Sequence, residues 1–417
     1  LDNKKMVEQI KQDAVRLTNY DDLDYLINEI GDAKYVLLGE ASHGTSEFYK
    51  TRAELTKRLV KDKGFNFVGV EGDWPSCYEL NRYIKSYEGA STSVDDAMKD
   101  FRRWPTWMWA NVEIEELVEW LKDFNSNSKQ DKKIGFYGID IYSLYESMEE
   151  IINYLEKIGS EDVKIAKRAF SCFQPYERTE QDYGVSASFL SEDCVDEVIA
   201  LLMEIQNHKS QYKHDEESSL NLEINALVAK NGEEYYRSMV QGGPDSWNIR
   251  DMHMVEALNR LMDFHGKDAK AIVWEHNTHI GDARATDMKE EGMVNVGQLI
   301  RENEGQENVF AIGFGTHRGT VIAGSEWGAP MEKMMVPPAM SGSWEDLMHL
   351  AGEEDKMLLL GQNSTSYKET VGHRAIGVVY NPDYERYGNY VPSVMASRYD
   401  AFIYHDQTNA LNPLKQI

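Results

Sequence analysis

Apolar runs and polar tips alternate along this chain, and their periods divide it into strands and helices. Residues 6–30 place Met6, Ile10, Val15, Leu26, Ile27 and Ile30 around the turn-like Thr18-Asn19-Tyr20-Asp21-Asp22, which predicts a helical lead-in. Tyr35-Val36-Leu37-Leu38-Gly39 is then an unbroken apolar segment running straight into Glu40-Ala41-Ser42-His43. After it Phe48, Leu55 and Leu59 recur at helical spacing with Arg52 on the same stripe, so a guanidinium faces inward and needs a carboxylate such as Glu40 or Glu71. The unit repeats. Phe65-Asn66-Phe67-Val68-Gly69-Val70 ends in Glu71, Gly72-Asp73-Trp74-Pro75 breaks the strand, and Cys77, Leu80, Tyr83 and Ile84 resume a helical period. Ile134-Gly135-Phe136-Tyr137-Gly138-Ile139 follows a polar linker and ends in Asp140.

From about Tyr145 to His265 the pattern turns helical and charged, with stripes such as Met148, Ile151, Ile152, Leu155 and Val198, Leu201, Leu202, Ile205. The last helix of this stretch carries Trp247, Arg250, Met254, Leu258 and Leu261 on one face, which repeats the situation of Arg52. Strands return at 271–275, 309–316, 375–380 and 401–405. Seven near-continuous apolar runs with helices between them predict an α/β fold with a mostly parallel sheet buried on both faces. The domain reading is a first part of the core over 1–144, a helical insertion over 145–265 and a second part of the core over 266–417.

Charge narrows the partners. With 44 Lys and Arg against 71 Asp and Glu the net charge is −27, which repels phosphate backbones and anionic lipid surfaces, so neither nucleic acid nor a membrane is an expected partner. No run approaches the ~18 apolar residues of a membrane span. Leu1-Asp2-Asn3-Lys4-Lys5 has no apolar signal region, and the missing initiator Met leaves processing or trimming open. Cys77, Cys172 and Cys194 are too few and too scattered for a disulfide framework or a thiolate metal site, which fits a cytoplasmic location.

Ligands of a parallel α/β sheet bind beyond the carboxyl ends of its strands. Here those ends carry Glu40 with His43, Glu71 with Asp73, Asp140, His276 with His279, and Thr316 with His317. There is no Gly-x-Ser-x-Gly elbow, no His-Glu-x-x-His helix and no nucleotide loop. Two chemistries remain for carboxylates and imidazoles at one rim. A histidine poised by a carboxylate can take a proton from water, or the same groups can gather a metal ion that activates the water. Arg52 and Arg250 favour the metal-free version, since cations at a site weaken its hold on another cation and can stabilise an oxyanion instead. The loop Phe101-Arg102-Arg103-Trp104-Pro105-Thr106-Trp107-Met108-Trp109 reads equally as a substrate-facing wall or as an aromatic pin to the core.

Several of these motifs, in this order, carry a resemblance. Leu38-Gly39-Glu40-Ala41-Ser42-His43-Gly44, Arg102-Arg103-Trp104-Pro105-Thr106-Trp107-Met108-Trp109, Tyr137-Gly138-Ile139-Asp140, Trp247-Asn248-Ile249-Arg250-Asp251 and His276-Asn277-Thr278-His279-Ile280-Gly281-Asp282 resemble the erythromycin esterase family along nearly the whole chain. The resemblance implies a three-layer α/β/α core with a helical subdomain and metal-independent hydrolysis of an ester or a macrolide lactone. It makes His43 the general base and Glu40 its partner, with Arg52 and Glu71 at further active-site positions and His276 and His279 beside the substrate ester. Asp73, Trp74, Arg102, Trp107, Arg250 and His317 are the expected substrate-facing residues, and no cofactor is expected. Glu275 and His317 depart from the family pattern. The competing readings are a metal-dependent hydrolase with Glu40, His43, Glu71, His276 and His279 as ligands, and a haem- or metal-binding protein without turnover.

Overall fold

The computed structural model describes residues 3–173, 194–208, 211–212, 217–361 and 366–414. Its strands, in chain order, are β1 (Val15–Arg16), β2 (Tyr35–Leu38), β3 (Phe67–Val70), β4 (Gly135–Gly138), β5 (Ala271–Trp274), β6 (Val309–Ala323), β7 (Glu332–Val336), β8 (Lys356–Leu359), β9 (Thr370–Arg374), β10 (Tyr390–Val394) and β11 (Ala401–Thr408). The nine-stranded sheet runs β1-β8-β11-β6-β2-β5-β3-β4, with β7 paired to β6, while β9 and β10 form a separate pair. From β11 to β4 every pairing is parallel; β1, β7 and β8 join antiparallel.

Alternation of side chains across the strands explains the three layers. Val36, Leu38, Val68, Val70, Ile272 and Trp274 enter one core with Phe48, Leu55 and Leu59 of the helix Ser46–Lys63. Tyr35, Leu37, Phe67, Ala271 and Val273 enter the other with Met254, Leu258 and Leu261 of the helix Asp245–His265. The inner strands β2, β3, β4 and β5 are buried along their full length, which is why they read as unbroken apolar runs. A third apolar cluster joins the helices Leu144–Lys157, Val163–Phe173 and Val195–Asn207 through Met148, Ile151, Ala169, Val198 and Leu201. The helix Ser218–Met239 serves both sides, giving Ile224 and Val228 to the sheet and Leu222 and Ala226 to the helical cluster.

Six of the seven expected strands lie in the sheet. The seventh, 375–380, does not: Ile376 N–H donates to the Ala41 carbonyl, and Gly324 and Tyr380 exchange bonds with the backbone across a loop. Its apolar run has another use, since Ile376 and Tyr380 pack in a small cluster with Val321, Ala323 and Val336. Strands β1, β7, β8, β9 and β10 are ones that the apolar pattern does not predict. Cys172 and Cys194 form a disulfide between the end of the helix Val163–Phe173 and the start of the helix Val195–Asn207, a pairing that scattered sequence positions did not suggest; Cys77 is free and buried. No helix among the described residues is long and apolar enough to cross a membrane.

Candidate active site

The strand order decides where the chemistry gathers. β2, β5, β3 and β4 are consecutive neighbours, so Glu40, Glu275-His276, Glu71 and Asp140 leave the sheet side by side. Backbone bonds hold them in register: Glu275 N–H donates to Leu38, Glu71 N–H to Trp274 and Asp140 N–H to Gly72. Two glycines let the Glu40–His43 turn press against its neighbours. A Cβ on Gly39 would lie 2.1 Å from Asn277 Oδ1, and one on Gly44 would lie 2.0 Å from the Ile322 carbonyl oxygen.

Glu40 is the hinge of the first group. Its Oε2 accepts from Arg52 Nη2 at 2.7 Å and its Oε1 faces His43 Nδ1 at 2.5 Å. Arg52 is fully buried, between the rings of Tyr49 and Trp274 at 4.8 and 4.4 Å from its guanidinium carbon. It therefore sits behind Glu40 and holds it, with no approach to a substrate. The bond from His43 Nδ1–H to Glu40 leaves His43 Nε2 pointing at Glu71 Oε2, 3.6 Å away. Burial pushes the His43 pKa down, but the Glu71 and Glu40 carboxylates outweigh it and the net shift is upward.

Glu71 is the centre of the second group. Its Oε1 accepts the His276 backbone N–H at 2.8 Å, and its Oε2 accepts Arg250 Nη2 at 3.0 Å with His279 Nε2 at 3.7 Å. Burial alone would raise its pKa, yet His279, His43 and Arg250 around it hold the carboxyl well below the usual range. Arg250 grips Asp140 with two bonds, Nε to Oδ1 at 2.9 Å and Nη2 to Oδ2 at 2.8 Å, and lies over the Tyr142 ring at 4.8 Å. The ring of His279 stacks on Trp247 at 4.5 Å, and its Nδ1 faces both Asp251 oxygens at 2.9 and 3.0 Å. With His279 neutral, its Nε2 accepts from Arg250 Nη1 at 3.2 Å, because a guanidinium can only donate.

His276 is in the cluster, its ring 5.0 Å from that of His43, but both its nitrogens are engaged. Nε2 faces the Ile376 carbonyl at 2.9 Å and Nδ1 accepts the Thr278 N–H at 3.1 Å, which fixes one neutral tautomer. Burial and the nearby His43 push its pKa well down. Glu275, the departure from the family pattern, is fully buried and neither of its oxygens has a hydrogen-bond partner. Burial, with Glu71 and Asp251 nearby, drives its pKa well up.

The expected substrate-facing residues divide. Arg250 joins the cluster, and Asp73 sits at its edge, bonded to Arg103 Nε at 2.9 Å and pushed up to about pKa 6 chiefly by burial. Trp74 is a core residue, enclosed between Tyr78 and Tyr137 at 5.5 Å from each ring. Arg102 points outward to the Lys99 carbonyl, and its neighbour Arg103 is the one turned toward the site. Trp107 packs edge-on to Trp104, whereas Trp109 donates its indole N–H to the Glu71 carbonyl. His317 stacks on His349 at 3.7 Å and takes the Ala339 N–H, away from the Glu40–Glu71 groups. Asp251 went unread as a site residue although it follows Arg250 directly. Tyr142, two places past Asp140, carries no chemical signature at all.

For a metal ion the cluster is already committed. Arg52 and His43 occupy Glu40, Arg250 covers Glu71, and His276 has no free nitrogen. Among the described residues, the one group of three or more His, Cys, Asp or Glu with ligand atoms all within 4.8 Å of one another is Asp162, Glu204 and His208 in the insertion.

A doubly wound core with histidines and carboxylates gathered at four adjacent strand ends defines an α/β protein with a candidate site at the carboxyl edge of a parallel sheet. The family model described as erythromycin esterase matches residues 60–408. The chain belongs to the erythromycin esterase family. Erythromycin esterase type II of Escherichia coli is 29% identical over 157 residues, covering 37% of this chain and 35% of that protein, so the match spans about a third of the relative. A putative hydrolase of Bacillus subtilis, YbfO, is 21% identical over 94% of this chain and 87% of its own. A solved structure of an erythromycin esterase EreC mutant in its open conformation superposes with a TM-score of 0.68 at 16% identity, covering 94% of each chain, and that likeness speaks to the fold.

Proposed function

We propose that the protein hydrolyses an ester or lactone with water activated by His43 and without a metal ion. The observation that carries this reading is the chain Arg52–Glu40–His43, which fixes the imidazole with its Nε2 turned into the cluster. The neutral imidazole takes a proton from water, and the hydroxide adds to the carbonyl carbon. The resulting imidazolium lies between Glu40 and Glu71, two carboxylates that favour its charge. Arg250 is the group left to steady the oxyanion, since Arg52 is behind Glu40 and the nitrogens of His276 and His279 are engaged. His43 then returns its proton to the leaving alkoxide.

The commitment of each would-be ligand to another partner supports the metal-free form over the metal-dependent one. A macrolide lactone is the first substrate to try, because relatives carry the name erythromycin esterase. The test is a panel of activated esters and macrolides with the wild type and His43→Ala. Hydrolysis by the wild type that falls by about 10²–10⁴-fold in the variant supports the proposal. Near-wild-type hydrolysis by His43→Ala sinks it.

A further inference from the structure

The catalytic cluster is closed, with Glu40, His43, Glu71, His276 and His279 all at 7% exposure or less. Beside it lies a cavity of about 1000 Å³, at the top of the range of roughly 300–1,000 Å³ for small-molecule sites. It begins where β3 and β4 end: Asp73, two residues past Glu71, and Ser143, three past Asp140, are both in its wall. Its chemistry is polar. Seven carboxylate side chains and four cationic ones line it, with three serines and two asparagines between them. The aliphatic surface is Pro75 and Ile158, and the flat surfaces are Tyr78 and Tyr154.

Such a wall selects against an apolar occupant, which would strip water from charged groups and return no hydrogen bonds. It also selects against an anion, because carboxylates exceed cations by three (7 − 4). A neutral ligand dense in hydroxyls meets both conditions. Its O–H groups donate to carboxylates, and its oxygens accept from Arg82, Arg103, Lys157 and Asn153.

We propose that this cavity holds the alcohol portion of an O-acylated neutral saccharide, so that the bond cut is a sugar ester. The proposal rests on the hydrolase reading above and names its substrate class. Water forms the new bond to the acyl carbon and gives a proton to His43. The bond from that carbon to the sugar oxygen breaks, and the oxygen takes the proton back from His43. A carboxylic acid and a free sugar hydroxyl result, with no change of oxidation state.

The experiment uses the full chain with an acetylated xylo-oligosaccharide, p-nitrophenyl acetate and erythromycin, following acid release, with His43→Ala as the blank. The double variant Asn153→Leu with Lys157→Leu alters two exposed cavity positions outside the catalytic cluster. Expected are acetate release from the oligosaccharide, a KM for it raised about fivefold or more in the double variant, as the loss of a hydrogen bond implies, and unchanged p-nitrophenyl acetate turnover. If p-nitrophenyl acetate or erythromycin is cleaved and the sugar ester is not, the hydrolase reading stands and the saccharide proposal falls. If the sugar ester is cleaved with the same KM in the double variant, the cavity is not its site and the proposal falls. If none of the three is cleaved above the blank, the hydrolase reading fails and takes this proposal with it.

Discussion

Glu40→Gln separates the two things that Glu40 does. The carboxylate takes Arg52 Nη2 at 2.7 Å and His43 Nδ1 at 2.5 Å, at a place where Arg52 has no exposure and its Nε and Nη1 make no hydrogen bond among the described residues. An amide has one acceptor oxygen and one donor nitrogen, so with its oxygen on Arg52 its NH2 faces His43 Nδ1, which accepts only by moving the imidazole proton to Nε2. Removing one partner of a buried pair leaves an uncompensated charge and costs about 3–5 kcal/mol. The hydrolytic rate falls as well, because the imidazole loses the acceptor that sets its tautomer, with a loss of about 10²–10⁴-fold. Urea unfolding gives the first quantity and kcat/KM the second. The double variant Glu40→Gln with Arg52→Met removes the stranded guanidinium and is expected to recover most of the stability, since buried pairs replaced by apolar groups are often neutral, while the rate stays low. A single variant within about 1 kcal/mol of the wild type, well short of the buried-pair cost, would refute the view that Glu40 bridges Arg52 and His43.

Further outcomes follow from the same geometry. With the His43 pKa raised above its ordinary ~6.5, kcat/KM should rise with pH through that raised value; a rate flat between pH 6 and 8 would exclude His43 as the base. The same shift stabilises the fold fully below the unfolded pKa, and that part is lost as pH rises through the folded one. Glu71 has the opposite sign: its depressed pKa gives stability present above the unfolded ~4.3 and lost as pH falls through the folded value. The acid limb of the stability curve should therefore flatten in Glu71→Gln. Glu275→Leu replaces an unpartnered buried acid and should raise stability by about 1–3 kcal/mol in urea unfolding; a loss would mean that the carboxyl has a partner. Exhaustive chelation should leave the hydrolytic rate unchanged, and activity restored by Zn²⁺ or Mn²⁺ after chelation would return the metal reading.

The strands and the polar groups gathered at their ends were legible because burial on both faces leaves apolar runs, and a polar tip after each run stands out. Asp251 and Tyr142 were not, because they reach the cluster from the helix Asp245–His265 and from the start of the insertion, where no periodicity marks a site. Trp74 misled for a related reason. Its place after a strand end suggested a ligand face, but as a first-turn helix residue it turns back between Tyr78 and Tyr137. Residues 375–380 show the limit of apolar runs as evidence: such a run demands burial, and a small cluster beside the hairpin satisfies that demand as well as a sheet does.

The position of β5 between β2 and β3 bears on how the chain is made. β2 and β3 both precede residue 71, yet each finds its shared neighbour only at Ala271–Trp274, some two hundred residues on. A ribosome-bound chain that has emerged only through the insertion thus carries two apolar strands with open edges facing a gap. Such edges pair readily with other chains, and closing so long a loop before any reward slows folding. Nascent chains truncated before Ala271 should accordingly depend on holding factors and lack the Glu275, His276 and His279 part of the cluster. Release of residues 271–280 is the step at which β2, β5, β3 and β4 can first be joined side by side.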